Sequence, residues 1–120
     1  MFKEPLEYLR HIQDECLFIM SVIGSETEKA DLLGNETLKR AIVRSLEIIG
    51  EATKNIPGDF KLKWSSIKWK NMAGMRDRLI HDYMGVNYSI VWDVIKNKIP
   101  DLSIQIQDVI ASEESDRKNG

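Results

Sequence analysis

Apolar residues along this chain recur at steps of three and four, the period of helices that bury one face. Leu6, Leu9, Ile12, Cys16, Ile19, Met20 and Ile23 trace a first stripe. Pro5 suits its first turn, where a missing N–H costs nothing. Gly24 and Ser25 break the run, and Ser25 with Glu28 reads as a capping box for a short following segment. A second helix is expected from Asn35, a good N-cap, with Leu38, Ala41, Ile42, Ser45, Leu46, Ile49 and Ala52 facing inward until Asn55, Pro57 and Gly58 end it. "GDFKLKWSS" reads as a connecting loop. A third helix starts between Ser65 and Lys70 and carries Trp69, Met72, Ala73, Met75, Leu79 and Ile80. Gly74 sits inside it at a cost of about 1 kcal/mol against alanine, which implies close approach by another backbone.

Gly85 closes that helix or lies just beyond it, and Asn87 can cap a fourth with Ile90, Val91, Val94, Ile95 and Lys98. Pro100 is expected to break it and to start a fifth through Leu102, Ile106, Val109 and Ile110. No alternating run with turn dipeptides suggests a strand. The expected fold is all-α, a bundle of four to five helices over residues 1–112. A polar, disordered tail is expected over 113–120.

Composition narrows the function classes. A chain of 120 residues with 42% apolar and 30% charged residues suits one globular domain. No apolar run is long enough for a membrane span, and the start lacks the apolar stretch of a signal peptide. One cysteine, Cys16, rules out an internal disulfide and a cysteine-based zinc site. A reducing, cytoplasmic setting is expected. Net charge is −2, but residues 61–80 hold six cations against Asp77 alone, a local +5 that leaves −7 elsewhere. Such a strip attracts phosphate, unless it is merely a solvated face.

Within that strip lies "RDRLIHDYMG", residues 76–85. Read structurally, Arg78 pairs with Asp82 and Asp77 with His81, each four residues apart. Read chemically, His81 titrates near neutral pH and can move a proton on or off a 2′-hydroxyl or a leaving 5′-oxygen. Arg76 can stabilise charge building on phosphate oxygens. Asp77 could orient His81, and Tyr83 adds a hydroxyl. This is a kit for cutting RNA without a metal. On one straight helix Arg76 and Tyr83 share a face, but His81 lies about 140° round from Arg76. Either the helix bends or ends near His81, or two copies across a two-fold axis build one cleft.

Other residues carry weaker signals. Glu47 and Glu51 lie one turn apart, and the ordinary reading is a polar face with an Arg44–Glu47 pair. If the second helix borders the cleft, Glu47 would instead hold Arg76. His11 reads as a surface or core-edge histidine, and Cys16 as a small hydrophobe. Trp64, Trp69 and Trp92 could stack bases, though packing explains at least two. There is no Gly-rich phosphate loop and no metal-ligand cluster, so neither a cofactor nor a metal is expected.

The spacing Arg76-x4-His81-x-Tyr83 resembles the motif of the HepT-like family, HEPN-domain ribonuclease toxins paired with minimal nucleotidyltransferase antitoxins (MntA). "RSLEIIGEATK" at 44–54 is similar to that family's second-helix signature. "WKNMAGMRDRLIHDYMGVN" at 69–87 is similar to its third helix and following turn, and "VWDVIKNKIPDL" at 91–102 to the usual continuation. The likeness covers most of residues 5–110. Met84, Asn87 and Lys68 depart from the commonest pattern, which bears on local packing and RNA preference but touches none of the three motif residues. The resemblance implies a homodimeric HEPN-like bundle and metal-independent cleavage of an RNA substrate. It makes Arg76 and His81 the catalytic pair and Tyr83 the acceptor of AMP from an MntA-like antitoxin, with which a larger hetero-oligomer can form. The alternative is a non-catalytic subunit that presents a nucleotide or substrate to the transferase. RNA cleavage by the purified chain separates the two.

Overall fold

The computed structural model describes residues 4–79 and 85–119. Over them the chain is an all-α bundle, and no strand occurs among the described residues. Helix α1 (Pro5–Val22) starts with Pro5 in its first turn and buries Leu6, Leu9, Ile12, Cys16 and Ile19. Met20, expected on that stripe, is 39% exposed, and Leu17, Phe18 and Val22 join it on the outer side of the helix. The short helix α2 (Lys29–Leu33) follows. Its capping box is Glu28 with Asp31, three residues beyond the expected Ser25 and Glu28. Helix α3 (Glu36–Lys54) begins as expected, Asn35 accepting from the Leu38 N–H at 3.0 Å.

The segment expected as a loop contains helix α4 (Gly58–Lys63). It buries no residue of its own, so its composition carried no helical stripe. It is fastened from outside, by Trp64 donating through Nε1 to Glu113 at 2.8 Å and by Lys63 pairing with the same carboxylate. Helices α5 (Trp69–Ala73) and α6 (Met75–Leu79) replace the single third helix. Gly74 is the C-cap between them rather than an interior residue.

Helix α7 (Tyr88–Asp93) is capped by Asn87, which accepts from the N–H groups of Ser89 and Ile90. The expected break at Pro100 does not occur. A π-helical segment (Val94–Lys98) joins α7 to α8 (Ile99–Asn119) in one rod. Proline lacks an N–H and its ring crowds the carbonyl four residues back, here that of Lys96. The widened turn relieves this, the Ile99 N–H reaching back five residues to the Val94 carbonyl. Residues 113–119, expected as a tail, lie within α8, where Glu113, Glu114 and Arg117 pair with Lys63, Arg10 and Glu4.

Helix α1 packs along both α3 and α8. It runs antiparallel to α8, since Arg10 meets Glu114, Gln13 meets Gln107 and Gly24 meets Lys96. The buried seam between them is partly polar. Ser103 donates to Gln13 Oε1 at 3.2 Å, and Gln13 donates to Gln107. No buried side-chain N or O among the described residues lacks a partner, as a stable interior requires. Helices α5 and α6 pack on α3, and α6 also on α7. Among the described residues no helix is long and apolar enough to cross a membrane.

Candidate active site

Two features of the backbone place Arg76. The first is Gly50, in the middle of α3. A Cβ built there would lie 3.3 Å from the Met72 carbonyl oxygen, 3.6 Å from that of Ala73 and 4.0 Å from the Arg76 nitrogen. The close approach expected at Gly74 therefore occurs at Gly50. At Gly74 a Cβ would meet only Lys70 O, one turn back. The second feature is the interruption at Gly74, which starts α6 afresh one residue before Arg76. Met75 and Leu79 point into the core, and Arg76, Asp77 and Arg78 are exposed.

Because α3 lies this close, Glu47, one turn before Gly50, reaches Arg76. Its Oε2 is 3.4 Å from Arg76 Nε. The pair expected between Arg44 and Glu47 is not formed, and Arg44 is exposed. Glu47 is the more sheltered partner, 29% exposed against 55% for Arg76. The contact is made at Nε and is the only ion pair of Arg76 among the described residues. A guanidinium held at Nε can still present its two terminal nitrogens, the fork that suits a phosphate. Glu51, by contrast, is exposed and only its carbonyl is engaged, accepting from Asn55.

His81 and Tyr83 lie outside the described residues, as do Ile80, Asp82 and Met84. The pairs expected for Asp77 with His81 and for Arg78 with Asp82 fall there too. What is described are the two ends of that segment. Helix α6 extends to Leu79, and the Asn87 N–H donates to the Leu79 carbonyl at 2.9 Å. Gly85 has φ of +100°, a left-handed conformation that side-chain-bearing residues rarely adopt. Leu79 and Asn87, the described residues on either side of that segment, are thus held together by a backbone bond.

The remaining candidates belong to the fold. Trp69 is buried, its Nε1 shared between the carbonyls of Lys61 and Trp64. Trp64 is tied to Glu113, and Trp92 is half-buried under the Lys96 ammonium, 5.5 Å from its ring centre. Met72 and Met75 are buried in the core. His11 is exposed on α1. Burial, with a smaller push from Glu15, raises the Cys16 thiol to about 12, so it is a packing group rather than a nucleophile. Among the described residues no group of three or more His, Cys, Asp or Glu could hold a metal ion.

The described geometry is an all-α bundle with an exposed Arg76 backed by Glu47, four residues before the segment that carries His81 and Tyr83 in the sequence. Residues 6–109 match the family described as "Ribonuclease HepT-like". The chain is 49% identical over 112 residues to a protein of Caldanaerobacter subterraneus subsp. tengcongensis named "Putative RNase", covering 92% of this chain and 98% of that one. It is 43% identical over 102 residues to "Probable ribonuclease HepT" of Thermococcus cleftensis, covering 85% and 92%. A Methanocaldococcus jannaschii protein, also named "Putative RNase", is 44% identical over 89 residues, 74% of each chain. No solved structure matches. The chain belongs to the HepT-like ribonuclease family and is an RNA-cleaving enzyme.

Proposed function

We propose that this ribonuclease is the toxin of a toxin–antitoxin pair, cutting RNA internally and without a metal, in a cleft that two copies of the chain share. The observation that carries the reading is the state of Arg76. It is held at Nε by Glu47 and is half-exposed, which suits presentation of its terminal nitrogens to a phosphate, and it lies a few residues before His81 and Tyr83 in the sequence. Arg76 receives the scissile phosphate and stabilises the charge that develops on its oxygens. His81 removes the proton from the 2′-hydroxyl, whose oxygen attacks phosphorus. The P–O5′ bond breaks, and the 5′-oxygen takes a proton from the His81 of the second copy, one imidazole acting as base and the other as acid. The products are a 2′,3′-cyclic phosphate and a 5′-hydroxyl. Asp77 orients His81.

Silencing follows from the same chemistry. An MntA-like nucleotidyltransferase attaches AMP to Tyr83, putting bulk and negative phosphate where the RNA phosphate sits. The toxin and its partner act in the cytoplasm, as a hetero-oligomer when the toxin is restrained.

The test is cleavage of RNA by the purified chain in the presence of a chelator. Activity that survives chelation, with Arg76→Ala and His81→Ala each losing about 10²-fold or more, upholds the reading. Activity that vanishes with chelation and returns with a divalent ion overturns metal independence. After co-expression with the transferase, a mass increase on the Tyr83 peptide upholds the silencing step, and an unmodified Tyr83 in a silenced protein refutes it.

A further inference from the structure

The cations of residues 61–80 do not act as one strip. Lys63 is paired with Glu113 and Asp116, and Arg76 with Glu47. Lys68, before α5, and Arg78, on α6, instead line an open cavity of about 320 Å³ together with Lys98 of the π-helical segment. None of these three forms an ion pair with a described residue. Asp101 is the one carboxylate among the described residues of the wall, against three cations.

Its other surfaces are of two kinds. Its buried lining is apolar and includes Met72, Met75 and Leu102. Exposed Asn71, Asn97 and Gln105 also line it, with amides that both donate and accept. The π-helical turn contributes directly, because Asn97, Lys98 and Ile99, three consecutive residues, all front the cavity. Widened turns of this kind occur often at functional sites. The volume lies at the small end of the roughly 300–1,000 Å³ of ligand pockets, enough for a single nucleotide-sized group. Cations for a phosphate, adaptable methionines for a flat ring and amides for its edge match a splayed base with its phosphate.

Arg78 is two residues from Arg76, about 200° round α6. Groups on opposite sides of a helix some 10–12 Å across do not grip one phosphate. We propose that this cavity is a subsite for a second nucleotide of a single-stranded RNA substrate, flanking the nucleotide cleaved at Arg76. The proposal rests on the ribonuclease reading above. Lys68, Arg78 and Lys98 hold the flanking phosphate, and the base lies over Met72 and Met75.

The experiment uses the full chain, a cleavable RNA oligonucleotide and its 2′-O-methyl counterpart, which cannot be cut. Lys98→Gln and Arg78→Gln alter exposed side chains, so melting temperatures should match the parent. Gln105→Trp fills the cavity without touching a cation. The subsite predicts KM raised roughly fivefold or more in all three variants, with kcat within about twofold. It also predicts weaker binding of the uncleavable strand and, for the two cation variants, a salt dependence shallower by about 0.7. Unchanged KM and binding would overturn the subsite while leaving the nuclease reading intact. If the parent cuts no RNA, the nuclease reading fails. Binding of the uncleavable strand then decides the subsite alone, equal affinity across the variants refuting it. Displacement of the strand by 5′-AMP at the same concentration as by the oligonucleotide itself would mark a free-nucleotide site and refute the strand assignment.

Discussion

Gly50→Ala is the substitution that most directly interrogates how the site is built. On helix propensity alone it should stabilise α3 by about 1 kcal/mol. The added methyl, however, would sit 3.3 Å from the Met72 carbonyl oxygen, tighter than ordinary contact by a few tenths of an ångström. That carbonyl cannot give freely. It belongs to the backbone of α5, which is anchored by buried Trp69 and Met72. Overpacking against a fixed backbone costs about 1–3 kcal/mol. The expected balance is a net loss of about 1 kcal/mol, a fall in Tm of about 4 °C for a domain of this size. Activity should suffer more. Pushing α5–α6 off α3 lengthens a Glu47–Arg76 contact that is already 3.4 Å, and small displacements of a positioned group cost about 10²-fold in rate. The measurement is a thermal melt followed by circular dichroism, alongside the rate of RNA cleavage at a temperature well below either midpoint. A Tm raised by about 4 °C with full activity would show that α3 has room for a side chain at position 50 and that the approach does not position Arg76.

Three other substitutions or conditions give sharp outcomes. Glu47→Gln should lower nuclease activity while leaving the unfolding free energy within about 1 kcal/mol of the parent, and Tm nearly unchanged, since a half-exposed pair contributes little to stability; equal loss of both would refute its role in holding Arg76. Cys16 should resist thiol reagents in the native protein and react fully once unfolded, and labelling of the folded chain at neutral pH would contradict its burial and raised thiol value. The Glu113 carboxyl is held below its ordinary 4.5 by Lys63 first and, after opposing burial, by the Trp64 indole. Its contribution is therefore present in full above about pH 4.5 and lost as pH falls through the lowered value. Glu113→Gln should lower Tm by about 2–4 °C near neutral pH, and the difference should close in acid. A gap that does not narrow at all in acid would remove the ion pair as its cause.

Much of the bundle is written in the apolar period. The stripes of α1 and α3 and the caps at Asn35 and Asn87 are local signals, and they lie where their spacing puts them except at exposed Met20 and at half-buried Leu38 and Ala41. What periodicity could not convey depends on distant partners. Helix α4 has no buried face, and its fastening by Trp64 and Glu113 spans 49 residues. Pro100 carries a strong local preference for a break, overridden because a widened turn satisfies it while α8 stays packed on α1. The site divides in the same way. Residue chemistry singles out Arg76, His81 and Tyr83. The Glu47–Arg76 contact, however, depends on Gly50, an interior glycine of α3 that carries the same local signal as Gly74. Lys98, 20 residues from Arg78, joins the cavity only through the fold.

The extra residue in the turn before Pro100 is what lets a proline sit inside so long a rod. Remove any one residue between Val94 and Lys98 and the rod could close into regular helix with α8 keeping nearly its present phase, because the widened turn is where the surplus residue is taken up. The contacts of Ser103 with Gln13 and of Glu113 with Trp64 would stay within reach. The Pro100 ring, however, would then meet the carbonyl four residues back, a conflict of about 3 kcal/mol or more that regular helix relieves only by kinking. Length at this spot is consequently less negotiable than identity: exposed Asn97 can be exchanged, whereas a single-codon deletion turns a tolerated proline into a strained one.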